Sequence, residues 1–246
     1  MPTCDSGESR TAARELPRLF DVHQHVLPPA YLEALARAGI DPAREDGFPT
    51  PSWDERDARA FAAGANIGFS LLSISSPHVN CGDDAASAGL CRALNDYMSG
   101  LCADHAACRG FAAVLPLPDV AASIQEARRT LALPGALGVK VPTNACGTYL
   151  GDPALDPLMA YLDSRHAIVT IHPTKPAAVP AGQFAAGHAP LFEFLADTTR
   201  AVLNLVTEGT LDRYPNVRWV VPHARLIQGA AWQNAASLYG FTQVSL

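Results

Sequence analysis

Residues 19–26 read Leu19-Phe20-Asp21-Val22-His23-Gln24-His25-Val26. An apolar run, 19–22, leads directly into two histidines spaced by two. On an extended strand that spacing puts both side chains on one face, so His23 and His25 can offer their imidazoles to a single ion as a chelating pair. Similar apolar runs follow at 69–74, 111–115, 137–141, 168–171 and 217–221. They are rich in Val, Ile, Leu and Phe. Continuous runs of this length fit strands buried on both faces, as in a parallel sheet covered by helices.

Helical stripes lie between the runs. Leu90, Leu94, Tyr97, Met98 and Leu101 recur at helical spacing, as do Val120, Ile124, Ala127 and Leu131. Leu155, Leu158, Met159 and Leu162 form another stripe. Leu191, Phe194, Leu195, Val202, Leu205 and Val206 form the longest. Each is the core-facing side of an amphipathic helix. Asp83-Asp84 and Asp119 are suited to cap or flank two of these helices at the N-terminus. Pro28-Pro29 suits the start of a helix that runs through Ala38 and ends at Gly39.

Strands alternating with helices admit a doubly wound sheet or a (β/α)8 barrel. No GxGxxG follows the first strand, which removes support for the dinucleotide-binding version. The histidines favour the barrel. Three strands end in histidine: the first in His23 and His25, the fifth in His172, the sixth in His223. In a parallel barrel the C-terminal strand ends share one mouth, where chemistry sits. His172 would then close a ligand set begun by His23 and His25, and neutral imidazoles suit Zn²⁺ and other borderline metals.

Other polar residues admit two readings each. His78 follows the second strand and either faces the mouth or serves structure. His105 and His166 fall at helix ends and His188 in a loop. Lys140, ending the fourth strand, either bridges two metals after carbamylation or sends its ammonium to a carboxylate or a substrate acid. Asp21 either accepts from an imidazole N–H or terminates the strand. Arg56 and Arg59, in the long connection after the first helix, either bind a carboxylate or line a solvated helix face.

The 246 residues are 48% apolar and 17% charged, the balance of a chain with a large packed interior. The net charge of −6 and the lack of a basic, aromatic-interleaved stripe argue against nucleic acid. The cysteines at 4, 81, 91, 102, 108 and 146 form no CxxC pair and no disulfide framework, which points to a reducing compartment. No apolar leader or eighteen-residue apolar span is present. The expectation is a cytoplasmic protein with a small organic substrate and no membrane association.

The stretch from Asp21 to Leu35, with its His-Gln-His and Pro-Pro, resembles the start of the amidohydrolase-related decarboxylases. That family includes the aminocarboxymuconate-semialdehyde, γ-resorcylate and 6-methylsalicylate decarboxylases. Further stretches resemble it in the same order: 72–77, 82–86, 149–153, 171–174, 197–202 and 211–215. The resemblance implies a TIM-like (β/α)8 barrel over residues 19–224, with an extension at 1–18 and a divergent tail at 225–246. It implies one divalent metal per chain, usually zinc, on His23, His25 and His172, with His223 lying over the substrate and assisting it. The implied reaction is non-oxidative decarboxylation of a small aromatic or unsaturated carboxylic acid such as a 6-methylsalicylate-like substrate, often in a homodimer. The family has Ala-Gly-Gly after its sixth-strand histidine and an acidic ligand after strand eight. Here Ala224-Arg225-Leu226 follows His223, with no Asp or Glu beyond it. The expectation is therefore a C-terminally truncated barrel of about six βα units. Two alternatives stay open: a metal-dependent hydrolase of an ester, lactone or amide, and a catalytically impaired metal-binding remnant.

Overall fold

The computed structural model describes residues 19–42, 49–80, 82–103, 109–176, 178 and 192–222. Six parallel strands form one sheet: β1 (Leu19–Val26), β2 (Ile67–Ile74), β3 (Arg109–Val114), β4 (Ala136–Pro142), β7 (Ile168–His172) and β8 (Arg218–Val220). The six apolar runs in the sequence match these strands. A two-stranded hairpin, β5 (Asn144–Ala145) and β6 (Thr148–Tyr149), follows β4. It is too short to leave an apolar run in the sequence.

The strand order is β1-β2-β3-β4-β7-β8. It follows the chain without reversal, which is the winding of a barrel; a doubly wound sheet reverses order at a switch point. The side chains prove the curl. Four inter-strand steps separate β1 from β7, about 19 Å across a flat sheet at the usual strand spacing. Yet Nε2 of His25 on β1 lies 3.3 Å from Nε2 of His172 on β7. The sheet must bend around a common axis for these atoms to meet. Among the described residues, β1 and β8 each have one strand neighbour, so the barrel wall is open between them.

The helices are α1 (Pro29–Arg37), α2 (Glu55–Gly64), α3 (Asp84–Ala103), α4 (Val120–Thr130), α5 (Asp156–Ser164), α6 (Glu193–Thr207) and the short α7 (Thr210–Arg213). Pro29 opens α1, and Gly39, at φ 67°, takes the left-handed conformation just past its end. The carboxylate of Asp83 accepts from the backbone N–H of Ala86 and that of Asp119 from Ala122, satisfying free donors at the starts of α3 and α4. Helix α2 carries little apolar stripe, and none of its residues is buried. Asp54 fixes its start by accepting from the N–H groups of Arg56 and Asp57.

The core lies between sheet and helices. Leu94 and Met98 of α3, Phe111 of β3, Val139 of β4, Leu158 and Leu162 of α5 and Val169 of β7 are all fully buried. Asn95 of α3, also fully buried, pairs with both backbone groups of Val114, accepting from its N–H and donating to its carbonyl, each at 2.9 Å. A polar side chain thus fixes the C-terminal end of β3. No helix among the described residues is long and apolar enough to cross a membrane.

Candidate metal centre

His23, His25 and His172 converge at the C-terminal ends of β1 and β7. One ring nitrogen from each lies within 4.8 Å of the others. The ring of His23 stacks on that of His172 at 5.2 Å between centroids, and His25 meets both edge-on. On β1, the three steps from Asp21 to Gln24 oppose the two from Ser70 to Leu72. This bulge lets the strand re-aim its side chains at the mouth. Asp21 holds the turn of the backbone here by accepting from the N–H of His23 at 3.0 Å.

Hydrogen bonds select the tautomers. Nδ1–H of His172 donates to the carbonyl of Pro173 at 2.8 Å. The hydroxyl of Ser73 donates to the carbonyl of Gln24, which leaves its oxygen to accept from Nδ1–H of His25 at 3.2 Å. Each ring is then left with a bare Nε2 lone pair, and these two atoms face each other at 3.3 Å. With His25 in that tautomer, both lone pairs are free to share one cation. A proton is a poor candidate. Burial, reinforced by Lys140 and then His23, pushes His25 down to about 2. Burial, with Lys140, His25 and His23 adding to it, holds His172 well below its ordinary range. A metal ion fits the donor set. For metal–nitrogen bonds of about 2.0–2.1 Å, neighbouring donors of a tetrahedron lie about 3.4 Å apart.

Lys140 lies on the same inward face. It pairs in register with Thr170, and two residues further on Pro142 pairs with His172. It is 2% exposed, and its Nζ has no hydrogen-bond partner among the described residues. Burial drives it well below the lysine range. The carboxylate partner that the sequence suggested is therefore not among the described residues. His78 is similar: both ring nitrogens are buried and unpartnered among those residues, and burial, then Lys140, lowers it to about 3. It lines a cavity of about 440 Å³ with Ile40, Asn80, Asn144 and Thr174. A second cleft, of about 470 Å³, runs from His25 and Gln24 to Trp53 and Phe61. A third cleft, of about 620 Å³, lies between the β5–β6 hairpin and α6 and contains none of the three histidines.

A buried polar knot fixes the loops beyond β4 and β7. Asp197 of α6, fully buried, accepts from Thr143, Asn144, Tyr149 and Arg200 at 2.5, 2.7, 2.5 and 2.8 Å. Thr143 and Asn144 also contact Thr174, just after His172. The resemblance touched Asp197 only as part of a matched stretch, and no local signal in the sequence marks it as the hub. Arg56 is 93% exposed and Arg59 is exposed, both on the outer surface of α2, the solvated reading. His166 lies two residues past the end of α5, with a left-handed φ of 49°. His223, His105 and His188 lie outside the described residues, as do the proposed extension and tail.

A family model for Amidohydrolase matches residues 20–241. Decarboxylase yanB of Aspergillus niger is 34% identical over 214 residues, covering 83% of this chain and 57% of its own. The 6-methylsalicylic acid decarboxylase acuB of Aspergillus aculeatus is 34% identical over 209 residues, covering 83% and 62%. The chain thus spans under two thirds of the length of these curated relatives. Among solved structures, amidohydrolase II is 37% identical, with a TM-score of 0.83 over 89% of this chain and 71% of that one. A manganese-bound 5-carboxyvanillate decarboxylase of Novosphingobium aromaticivorans is 20% identical, with a TM-score of 0.74 over 92% and 72%, and speaks for the fold alone. Matched from residue 20 to residue 241 and wound as a parallel barrel wall, the chain belongs to the Amidohydrolase family.

Proposed function

We propose that this chain is a metal-dependent, non-oxidative decarboxylase of a small aromatic carboxylic acid of the 6-methylsalicylate kind. His23, His25 and His172 would hold a divalent metal, and His223 would assist the substrate. The observation that carries this reading is the convergence of His23, His25 and His172, with one ring nitrogen of each within 4.8 Å of the others and Nε2 of His25 3.3 Å from Nε2 of His172. The names of the curated relatives favour loss of CO₂ over hydrolysis.

When bound, the metal would supply a Lewis acid that holds the substrate's oxygen atoms and stabilises developing negative charge. The three imidazoles would hold that ion at the C-terminal strand ends, where the acid would bind. The electron pair of the bond from ring to carboxylate stays on the ring carbon as CO₂ leaves, and the carbon then takes a proton. His223, which ends the sixth strand in sequence, is the residue assigned to assist there. Zinc is the metal that the donor set suggests, and manganese would also serve an imidazole site open to oxygen ligands.

Elemental analysis of the purified chain should find about one divalent ion per chain. His23→Ala combined with His25→Ala should abolish it; unchanged metal content would reject the ligand assignment. The wild-type chain should release CO₂ from 6-methylsalicylate, and His223→Ala should stop turnover while keeping the metal. Acid released from esters or lactones without CO₂ would establish the hydrolase reading. Bound metal without any turnover would leave the chain a remnant.

A further inference from the structure

We propose that Lys140, with His78 and Thr170 beside it, is the oxyanion-binding element of the substrate site, recognising the carboxylate of a small aromatic acid. This rests on the decarboxylase reading and specifies how the acid is held.

The barrel interior next to the three histidines holds several polar atoms for which the described residues offer no partner. They are Nζ of Lys140, Oγ1 of Thr170 and both ring nitrogens of His78. Native interiors leave few such groups, and each is costly unless something else satisfies it. Two of these residues are neighbours. Lys140 and Thr170 are paired in register on β4 and β7, so their side chains share the inward face. Lys140 is near enough to His25, His78 and His172 to act electrostatically on all three.

The chemistry of the set is one-sided. Lysine donates only, threonine and neutral histidine can donate, and no carboxylate of the described residues forms an ion pair with Lys140. A ligand that completes the set must bring acceptors and negative charge. A carboxylate does both: its negative charge favours a proton on the Lys140 amine, taken up with the acid, and the resulting pair forms a charge-assisted hydrogen bond out of water. Of the three residues His78 lines a cavity of about 440 Å³, bounded also by Ile40, Pro77, Ala145 and Lys175, which suits one small ring. A structural lysine would instead have an acidic neighbour or reach solvent, and at 2% exposure Lys140 does not reach solvent.

The test is a calorimetric titration of the full, metal-loaded chain with 2-hydroxybenzoate and with phenol, which shares the ring and hydroxyl but lacks the carboxylate. Lys140→Met keeps the shape of the side chain and removes the donor. Its metal content and Tm should equal or exceed those of the wild type. Its affinity for 2-hydroxybenzoate should fall at least about 30-fold, and its affinity for phenol less than about three-fold. His78→Phe should move the same way by a smaller factor. The proposal is overturned by retained 2-hydroxybenzoate affinity, by equal losses for both ligands, by Lys140→Met failing to fold, or by no binding of 2-hydroxybenzoate to the wild type. A carbamate signal on Lys140 after incubation with ¹³C-bicarbonate also overturns it, since the lysine would then carry its own anion. If the wild type binds 2-hydroxybenzoate through Lys140 but releases no CO₂ from any hydroxybenzoate, the decarboxylase reading fails and this assignment stands.

Discussion

Replacing Asp197 by alanine should cost about 3–5 kcal/mol of folding stability. Asp197 is fully buried on α6 and accepts four hydrogen bonds. Two come from the interior, from Thr143 and Asn144. Hydrogen bonds to a charged group are worth about 1.5–3 kcal/mol each. Thr143 and Asn144 keep weaker alternatives through Thr174, which places their loss near the low end of that range. The other two bonds, from Tyr149 and Arg200, lie nearer the surface, where water replaces a lost partner. They should add about 0.5 kcal/mol each. The sum lies within the range found when one member of a buried charged network is removed.

The assay is equilibrium urea unfolding of the purified chain, with the slope compared between variants so that a change in midpoint reports stability alone. Tyr149→Phe deletes one rim donor and should lose only about 0.5–1 kcal/mol. The ordering of the two variants therefore tests the geometry as well as the total. A loss below about 1 kcal/mol for Asp197→Ala would refute the reasoning, because the burial cost of the carboxylate would then cancel its hydrogen bonds. Asn144 and Thr174 line the cavity that His78 also lines, so under the proposed function loosening α6 from these loops should weaken binding of the acid.

Two more outcomes follow from single contacts. Gly138→Ala should destabilise by at least about 2 kcal/mol in the same assay, because its Cβ would lie 2.3 Å from the carbonyl oxygen of Ile168 and force β4 from β7; an unchanged midpoint would contradict the strand register. Metal-free protein should lose stability as pH falls below 6.5. His25 is lowered to about 2 and His78 to about 3, so between those values and 6.5 the unfolded chain binds protons that the folded chain refuses. The stability is fully present above 6.5, and at pH 5 each histidine should account for about 2 kcal/mol of loss. Equal midpoints at pH 7 and pH 5 would show that these imidazoles are not held neutral.

Much of the fold was legible because its signals are local. Six apolar runs became six strands within a few residues, since a strand buried on both faces must be apolar throughout. Capping acids and the Pro29–Gly39 bracket marked helix ends because those residues act on their own backbone. Helix α2 was harder to read because it buries no residue and so carries no stripe. The β5–β6 hairpin is set by a contact with α6 48 residues away, from Tyr149 to Asp197.

The histidine site divides in the same way. His23 and His25 declared themselves by spacing, and His172 by its place at a strand end. That His25 and His172 meet at 3.3 Å is a property of the curled sheet, since they are 147 residues apart in the chain. The tautomers depend on Ser73 and Pro173, whose identity carries no signal until the strands are side by side. Lys140 shows the limit most clearly. Its sequence position offered a bridging ligand, a carboxylate partner or a substrate contact. Only tertiary structure, by burying the amine without an acidic neighbour among the described residues, set the carboxylate partner aside there. Sequence determined which residues stand at the mouth, because periodicity and strand ends are written along the chain. Structure decided which of them face each other and which lack a partner, because those facts arise only when distant segments share one interior.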